Sequence, residues 1–288
     1  MRFDNILAGA IPEPRGRDGI VLAALLAKQA GGRLTVATVQ PPAWTTPGPA
    51  RAEETAWRAY LEEQAESTLT QARQIVGDDA DYVIHMHKGS GRGLVELARR
   101  RGADVVVIGS APGGGKGRIE IGSTADQLLH SSSVPVLLAP RGFADEPPGA
   151  FERITVAYRR GPSADAAVVS AAQAAAALEV PLRLVTLVVS SGRRVEVEER
   201  MLERLRDQTA ADLKAAARGH RRRLEVEVEV LEGRNVGQAL ATASWVSGEL
   251  LLCASSTGGP LRRVFLGDTS VKIVRAATCP VMILTRQP

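Results

Sequence analysis

The feature that most constrains this chain is that it repeats itself. Pro135 and Pro280, Gly122 and Gly267, and Gly109 and Ala254 are each separated by 145 residues. The surrounding segments match in kind: VPVLLAPR at Val134 is echoed by CPVMILTR at Cys279, VVVIGS at Val105 by LLLCAS at Leu250, and FDNI at Phe3 by FERI at Phe151. A chain built this way folds as two like units, so 288 residues divide into two domains of ordinary size. The boundary falls in FADEPPGA, acidic and with paired prolines, the composition of a hinge. This places domains at 1–142 and 151–288, with 143–150 as linker.

Within the first unit, short β-branched apolar runs alternate with amphipathic stretches. Strands are expected at Ile6 to Ala10, Leu34 to Val39, Tyr82 to His87, Asp104 to Ile108 and Val134 to Ala139. Helices are expected at Gly19 to Ala30, Ala52 to Val76, Gly93 to Arg101 and Thr124 to Ser131. In the second unit, Ala164 to Leu178 and Glu196 to Ala217 read as the first two helices. Strands apolar on both faces, each followed by a helix, specify an α/β fold with a parallel sheet covered on both sides.

The fourth strand empties into SAPGGGKGRIEIGST, where Gly109, Ser110, Gly113, Gly122, Ser123 and Thr124 are the candidate binding residues. Glycines free backbone N–H groups to converge on an anion, and a helix starting at Ser123 or Thr124 adds the positive end of its dipole. The alternative is a glycine loop that carries no ligand. Lys116 does not make this a Walker A loop, because Ser110 stands where that template needs Gly and Gly117 where it needs Ser or Thr.

Other motifs point to structure. His85 and His87 share a strand face, but no Cys or helically spaced His accompanies them as a metal set. Ser131-Ser132-Ser133 lacks a nucleophile elbow and reads as a helix-to-strand turn. The net charge of +4 falls in the second half, partly in the run Arg218 to Arg223; without aromatic neighbours this is a solvated turn rather than a nucleic-acid contact. Packing is the expectation for Trp57 and Trp245, while Trp44 in the Pro-rich bend is a candidate lid or interface residue. Cys253 and Cys279 sit in apolar strands and read as reduced, buried thiols. No run of about 20 apolar residues is present, so the expectation is a soluble, cytoplasmic protein with no membrane or nucleic-acid partner.

These residues resemble the universal stress protein family in tandem form. The resemblance implies two Rossmann-like domains of the adenine nucleotide alpha hydrolase-like kind, each a five-stranded parallel sheet flanked by helices. It also implies self-association through the final strands, within the chain or between two chains, and in one branch ATP (with Mg²⁺) or AMP at the C-terminal strand ends. That branch carries Gly-x2-Gly-x9-Gly-Ser/Thr and an Asp ending the first strand. Here Gly109, Gly122 and Ser123 match, Pro112 replaces the second glycine and offers no N–H, and Ile11 stands at the Asp position, with Glu13 the nearest carboxylate.

The second half presents Ala254, Thr257, Gly267 and Asp268 at the motif positions and Arg159 at the end of its first strand. A phosphate about 5 Å from the Asp268 carboxylate would be repelled by about 3 kcal/mol at an effective dielectric near 20. The second site is therefore expected to be closed, with Arg159 and Asp268 paired in place of a ligand. Two functions follow: a non-catalytic or weakly catalytic stress-response module binding ATP or AMP in its first half, or a ligand-free scaffold acting by domain pairing and through an unidentified protein partner.

Overall fold

The computed structural model describes residues 1–12, 16–42, 51–159, 162–190, 196–220, 224–254 and 268–285. The first half runs β1 (Asn5–Gly9), α1 (Gly16–Ala30), β2 (Arg33–Gln40), α2 (Arg51–Val76), β3 (Ala80–Met86), α3 (Ser90–Arg101), β4 (Val105–Gly109), α4 (Ser123–Ser131) and β5 (Val136–Ala139). The second repeats it as β6 (Arg153–Ala157), α5 (Pro162–Leu178), β7 (Leu182–Val189), α6 (Glu196–Arg218), β8 (Val226–Gly233), α7 (Val236–Ala241), β9 (Glu249–Ala254), α8 (Asp268–Ala276) and β10 (Val281–Leu284).

All the strands join one sheet of order β3-β2-β1-β4-β5-β10-β9-β6-β7-β8. Each half is parallel throughout, as right-handed βαβ crossovers require. The halves meet in one antiparallel pair, with Met282 opposite Leu137 and Val281 opposite Leu138. The strands at this seam are buried along their whole length, and each large aliphatic side chain there contributes roughly 1.5–3 kcal/mol. Helices α1, α2, α5 and α6 cover one face with one hydrophobic cluster, and α3, α4, α7 and α8 the other.

Local chemistry accounts for the elements. Strand β4 is valine-rich and buried on both faces because helices cover both sides of it. Helix α3 ends at Gly102, whose left-handed φ of 61° lets its N–H return to the carbonyls of Ala98 and Arg99. Arg99 to Arg101 lie in its last turn, favourable to the helix dipole. At Gly19 in α1 a Cβ would lie 2.7 Å from the Gly109 nitrogen and 2.8 Å from the Ile108 carbonyl carbon. Only glycine lets α1 lie this close to the end of β4.

The linker is not a free hinge. The buried Asp18 carboxylate at the start of α1 accepts the N–H groups of Gly142 (2.9 Å) and Ala144 (2.8 Å), and Phe143 is buried. Beyond it, Gln29 accepts from Phe151 N (2.7 Å) and donates to the carbonyls of Phe151 and Leu178 (both 3.0 Å). Thus α1 holds the linker at one end and the second half at the other. Cys253 and Cys279 are buried and unpaired, and burial pushes the Cys253 thiol up to about 12 and raises Cys279 likewise. Among the described residues no helix is long and apolar enough to cross a membrane.

Candidate functional site

In each half the strand order reverses beside the first strand: β1 has β2 on one side and β4 on the other. Crossovers leave this point in opposite directions and open a crevice at the C-terminal strand ends. In the first half the crevice is a cavity of about 420 Å³, within the range of small-molecule sites. Its floor is the ends of β1 and β4, with Gly9, Ala10, Ile108 and Gly109, and Thr38 and Gln40 come from the end of β2. Tyr60, Leu61 and Gln64 of α2 form one side, and Ser90 of α3 with Gly122 to Ala125 of α4 the other.

The polar capacity of this wall comes from helix ends. Gly89 and Gly122 are the N-caps of α3 and α4, both in extended conformation and neither with a side chain to cap the following N–H groups. The first turns of both helices thus retain donors without intrahelical partners. Ser90 Oγ and Thr124 Oγ1 lie 2.6 Å apart and tie the two helix starts together. No carboxylate, ammonium, guanidinium or imidazole lines the cavity among the described residues. Gly122 sits so close to the loop that an added Cβ would meet that of Ala111 at 2.7 Å.

Of the residues expected from the motif, Gly109, Ser110, Gly122, Ser123 and Thr124 line this one cavity, and Gly113 does not. The reason is how the loop is pinned. Ser110 Oγ accepts from Glu120 N (2.8 Å) and donates to Ala111 O (3.2 Å), and Ala111 N donates to Glu120 O (2.9 Å). This clasp closes the loop at its neck and turns the glycine run away. The run then docks on the segment after β5: Gly117 N donates to Arg141 O (2.8 Å), Arg141 Nη1 to Gly114 O (2.7 Å), and Lys116 pairs with Asp145 at 3.3 Å. Ile11 lies at the cavity mouth, 45% exposed, where the motif has a carboxylate. Glu13 lies outside the described residues.

The second half answers the same positions with different chemistry. Tyr158, paired with β7 as Ala10 is with β2, puts a buried phenol where the first half has a methyl group, and its hydroxyl donates to Asp165 of α5 (3.0 Å). Asn235 stands at the N-cap position, where the first half has Gly89, and caps α7 itself, accepting from Gln238 N at 2.9 Å. Asp268 opens α8 and pairs with Lys272 one turn on at 2.6 Å. The expected pair of Asp268 with Arg159 does not form, because a partner four residues along the same helix is nearer than one on another strand. Thr257 and Gly267 lie outside the described residues.

Sequence reasoning missed Ser90, Thr38, Gln40 and the α2 stripe, whose only signal was helical spacing at 57, 60, 61 and 64. It also placed Trp57 in packing; the ring is instead half exposed and stacked on Tyr60, centroids 5.4 Å apart. Trp245 is packed as expected, its indole N–H on Leu240 O (2.8 Å) and its face under Arg183. His85 faces Glu96 at 3.8 Å, and His87 Nδ1 meets the Gly89 backbone. No group of three metal-ligating side chains occurs among the described residues. Ser132 forms the expected turn through Val134 (2.6 Å). Trp44 and Arg221 to Arg223 lie outside the described residues.

Fold and crevice together define a tandem doubly wound α/β protein with a cavity at the switch point of its first half. Its family follows from sequence comparison. The universal stress protein family model matches residues 3–140 and again 150–285, and the chain belongs to that family. It is similar to the universal stress proteins Rv2319c of Mycobacterium tuberculosis and Mb2346c of Mycobacterium bovis. Each is 32% identical over 299 residues, spanning 97% of this chain and 99% of the relative. Among solved structures, a universal stress protein from Archaeoglobus fulgidus superposes with a TM-score of 0.68 at 17% identity over the full length of both chains. A putative universal stress protein from Pseudomonas aeruginosa gives 0.61 at 14% identity, over 98% of this chain and 93% of the other.

Proposed function

We propose that the first half binds an adenine nucleotide, AMP or ATP, in the cavity at the β1/β4 crevice, and that the chain is a non-catalytic binding module of the stress response. The observation that carries this reading is the meeting of two uncapped helix N-termini, α3 and α4, with Gly109 and the Ser90–Thr124 hydroxyl pair in one cavity. Neutral donors of this kind suit a phosphate. Gly109, Gly122, Ser123 and Thr124 would hold it, with Ser110 shaping the loop. Mg²⁺, if it accompanies ATP, would rest on the nucleotide's own oxygens and water, since no carboxylate lines the wall among the described residues.

The second half is proposed to stay empty: one helix start is capped by Asn235, the other carries Asp268, and Tyr158 fills the position of Ala10. Titration calorimetry with AMP and with ATP and Mg²⁺ tests the reading. We expect one site per chain with a dissociation constant below about 1 mM, weakened at least about tenfold in Gly122→Val, whose side chain has no room beside Ala111. A wild-type constant above 1 mM for both nucleotides would overturn it.

That outcome would favour the second reading, a ligand-free scaffold, for which Ile11 at the carboxylate position and the diverted glycine run speak. On either reading the last strands are spoken for. Strand β5 pairs with β4 and β10, and β10 with β5 and β9, so neither offers an edge to a second chain. We expect light scattering on the eluting peak to give a monomer near 30.5 kDa; a dimer that persists on dilution would require another surface.

A further inference from the structure

The two aromatic rings on α2 are out of keeping with the rest of the chain. Aromatic residues make up only 3% of the sequence, yet Trp57 and Tyr60 are spent on an exposed helix face, each 49% exposed and stacked on the other. Leaving such area in water forgoes a large apolar gain. The placement is specific: Tyr60 forms part of the cavity wall, while Trp57, one turn earlier, lines the adjoining groove with Met86 and Ile84. Trp57 therefore stacks on the ring that lines the cavity.

We propose that Tyr60, held by Trp57, is the stacking wall of the cavity, so that the ligand is recognised by a flat aromatic ring such as a purine base. This rests on the nucleotide reading above and adds the part that distinguishes a base from a bare sugar phosphate. The geometry divides the site into two ends. Helix starts α3 and α4 offer donors to an anion, and across the cavity α2 offers a planar π face with Gln64 beside it. Gln64 can both donate and accept at a base edge. Stacking tolerates any planar base because every base has a π face, and the loss of the first-strand carboxylate to Ile11 makes that contact the larger share of recognition.

The test uses the intact chain and two probes, AMP and ribose 5-phosphate, the latter lacking the base. Tyr60→Leu is expected to weaken AMP binding about 5- to 150-fold, the range found for base-on-aromatic contacts, while Tyr60→Phe, which keeps the ring, stays within about threefold of wild type. Ribose 5-phosphate should bind weakly and equally to all three. Tyr60 is half exposed, so both variants are expected to fold, which circular dichroism verifies; Trp57→Leu, expected to weaken AMP as well, is the second variant. Should Tyr60→Leu bind AMP as wild type does, the stacking assignment fails while nucleotide binding stands. Should wild type bind ribose 5-phosphate as tightly as AMP, the assignment also fails. Should wild type bind neither probe, the nucleotide reading falls and this inference with it.

Discussion

Replacing Glu249 by alanine is expected to cost about 3–5 kcal/mol of folding stability, the range for breaking a buried ion pair by removing one partner. Glu249 is fully buried at the start of β9. Its carboxylate receives Arg153 Nη2 at 2.8 Å and the Thr155 hydroxyl, and lies 3.5 Å from Arg183 Nη2. Arg183 is itself 2% exposed, held further by Thr155 Oγ1 (2.9 Å), Glu229 (3.1 Å) and the Ser244 carbonyl (3.1 Å), with its plane over Trp245. The hydrogen bonds that Arg153 donates to Glu249 raise its guanidinium above the ordinary value despite the cost of burial.

Without Glu249 the two guanidinium groups lose the buried carboxylate they share and keep only the more exposed Glu227 (3.3 Å from Arg153) and Glu229 (3.1 Å from Arg183). Denaturant unfolding followed by tryptophan fluorescence and circular dichroism measures the loss, and a change below about 1 kcal/mol would show that the pair contributes little. The double change Glu249→Leu with Arg183→Met should recover part of the loss, because it removes the Glu249–Arg183 pair as a whole while Arg153 keeps Glu227. In the first half the same ladder positions carry Asp104 and Thr35. Asp104 accepts the Asn5 N–H at 2.8 Å, so Asp104→Ala should cost about 1 kcal/mol.

The second large effect is expected at Gly19. Valine there places a Cβ 2.7 Å from the Gly109 nitrogen, and the atoms it meets are backbone, with no flexible end to swing aside. Overpacking of this kind costs about 1–3 kcal/mol. Helix α1 must then lift from β4, and Gly109 forms the cavity floor, so nucleotide affinity should fall with stability. A thermal melt and a parallel AMP titration separate the two. Loss of stability with unchanged affinity would mean that α1 does not position the site.

Much of the architecture was legible because it is written in local pattern. The duplication located both halves, and the helices and strands came within a few residues of their ends, since β-branched apolar runs and helical periodicity are short-range signals. The motif brought Gly109, Ser110, Gly122, Ser123 and Thr124 to one cavity for the same reason: strand end and helix start are covalently close. Gly113 went elsewhere because Arg141 and Asp145, which hold its loop, come from beyond the next strand. Asp18 gave no hint of its role, because its partners at Gly142 and Ala144 are distant in sequence. Asp268 was misassigned in the opposite direction, a long-range partner being expected where a local one sufficed.

The sequence by itself thus determined two α/β units, their loops and the difference in chemistry between them, all consequences of residue type at fixed spacing. The tertiary structure alone decided that the halves form one sheet through β5 and β10, that Ser90 meets Thr124, and that Trp57 and Tyr60 stand in the open beside the cavity. Strand order and helix rotation set these distances, and both depend on how whole faces bury against each other rather than on any one segment.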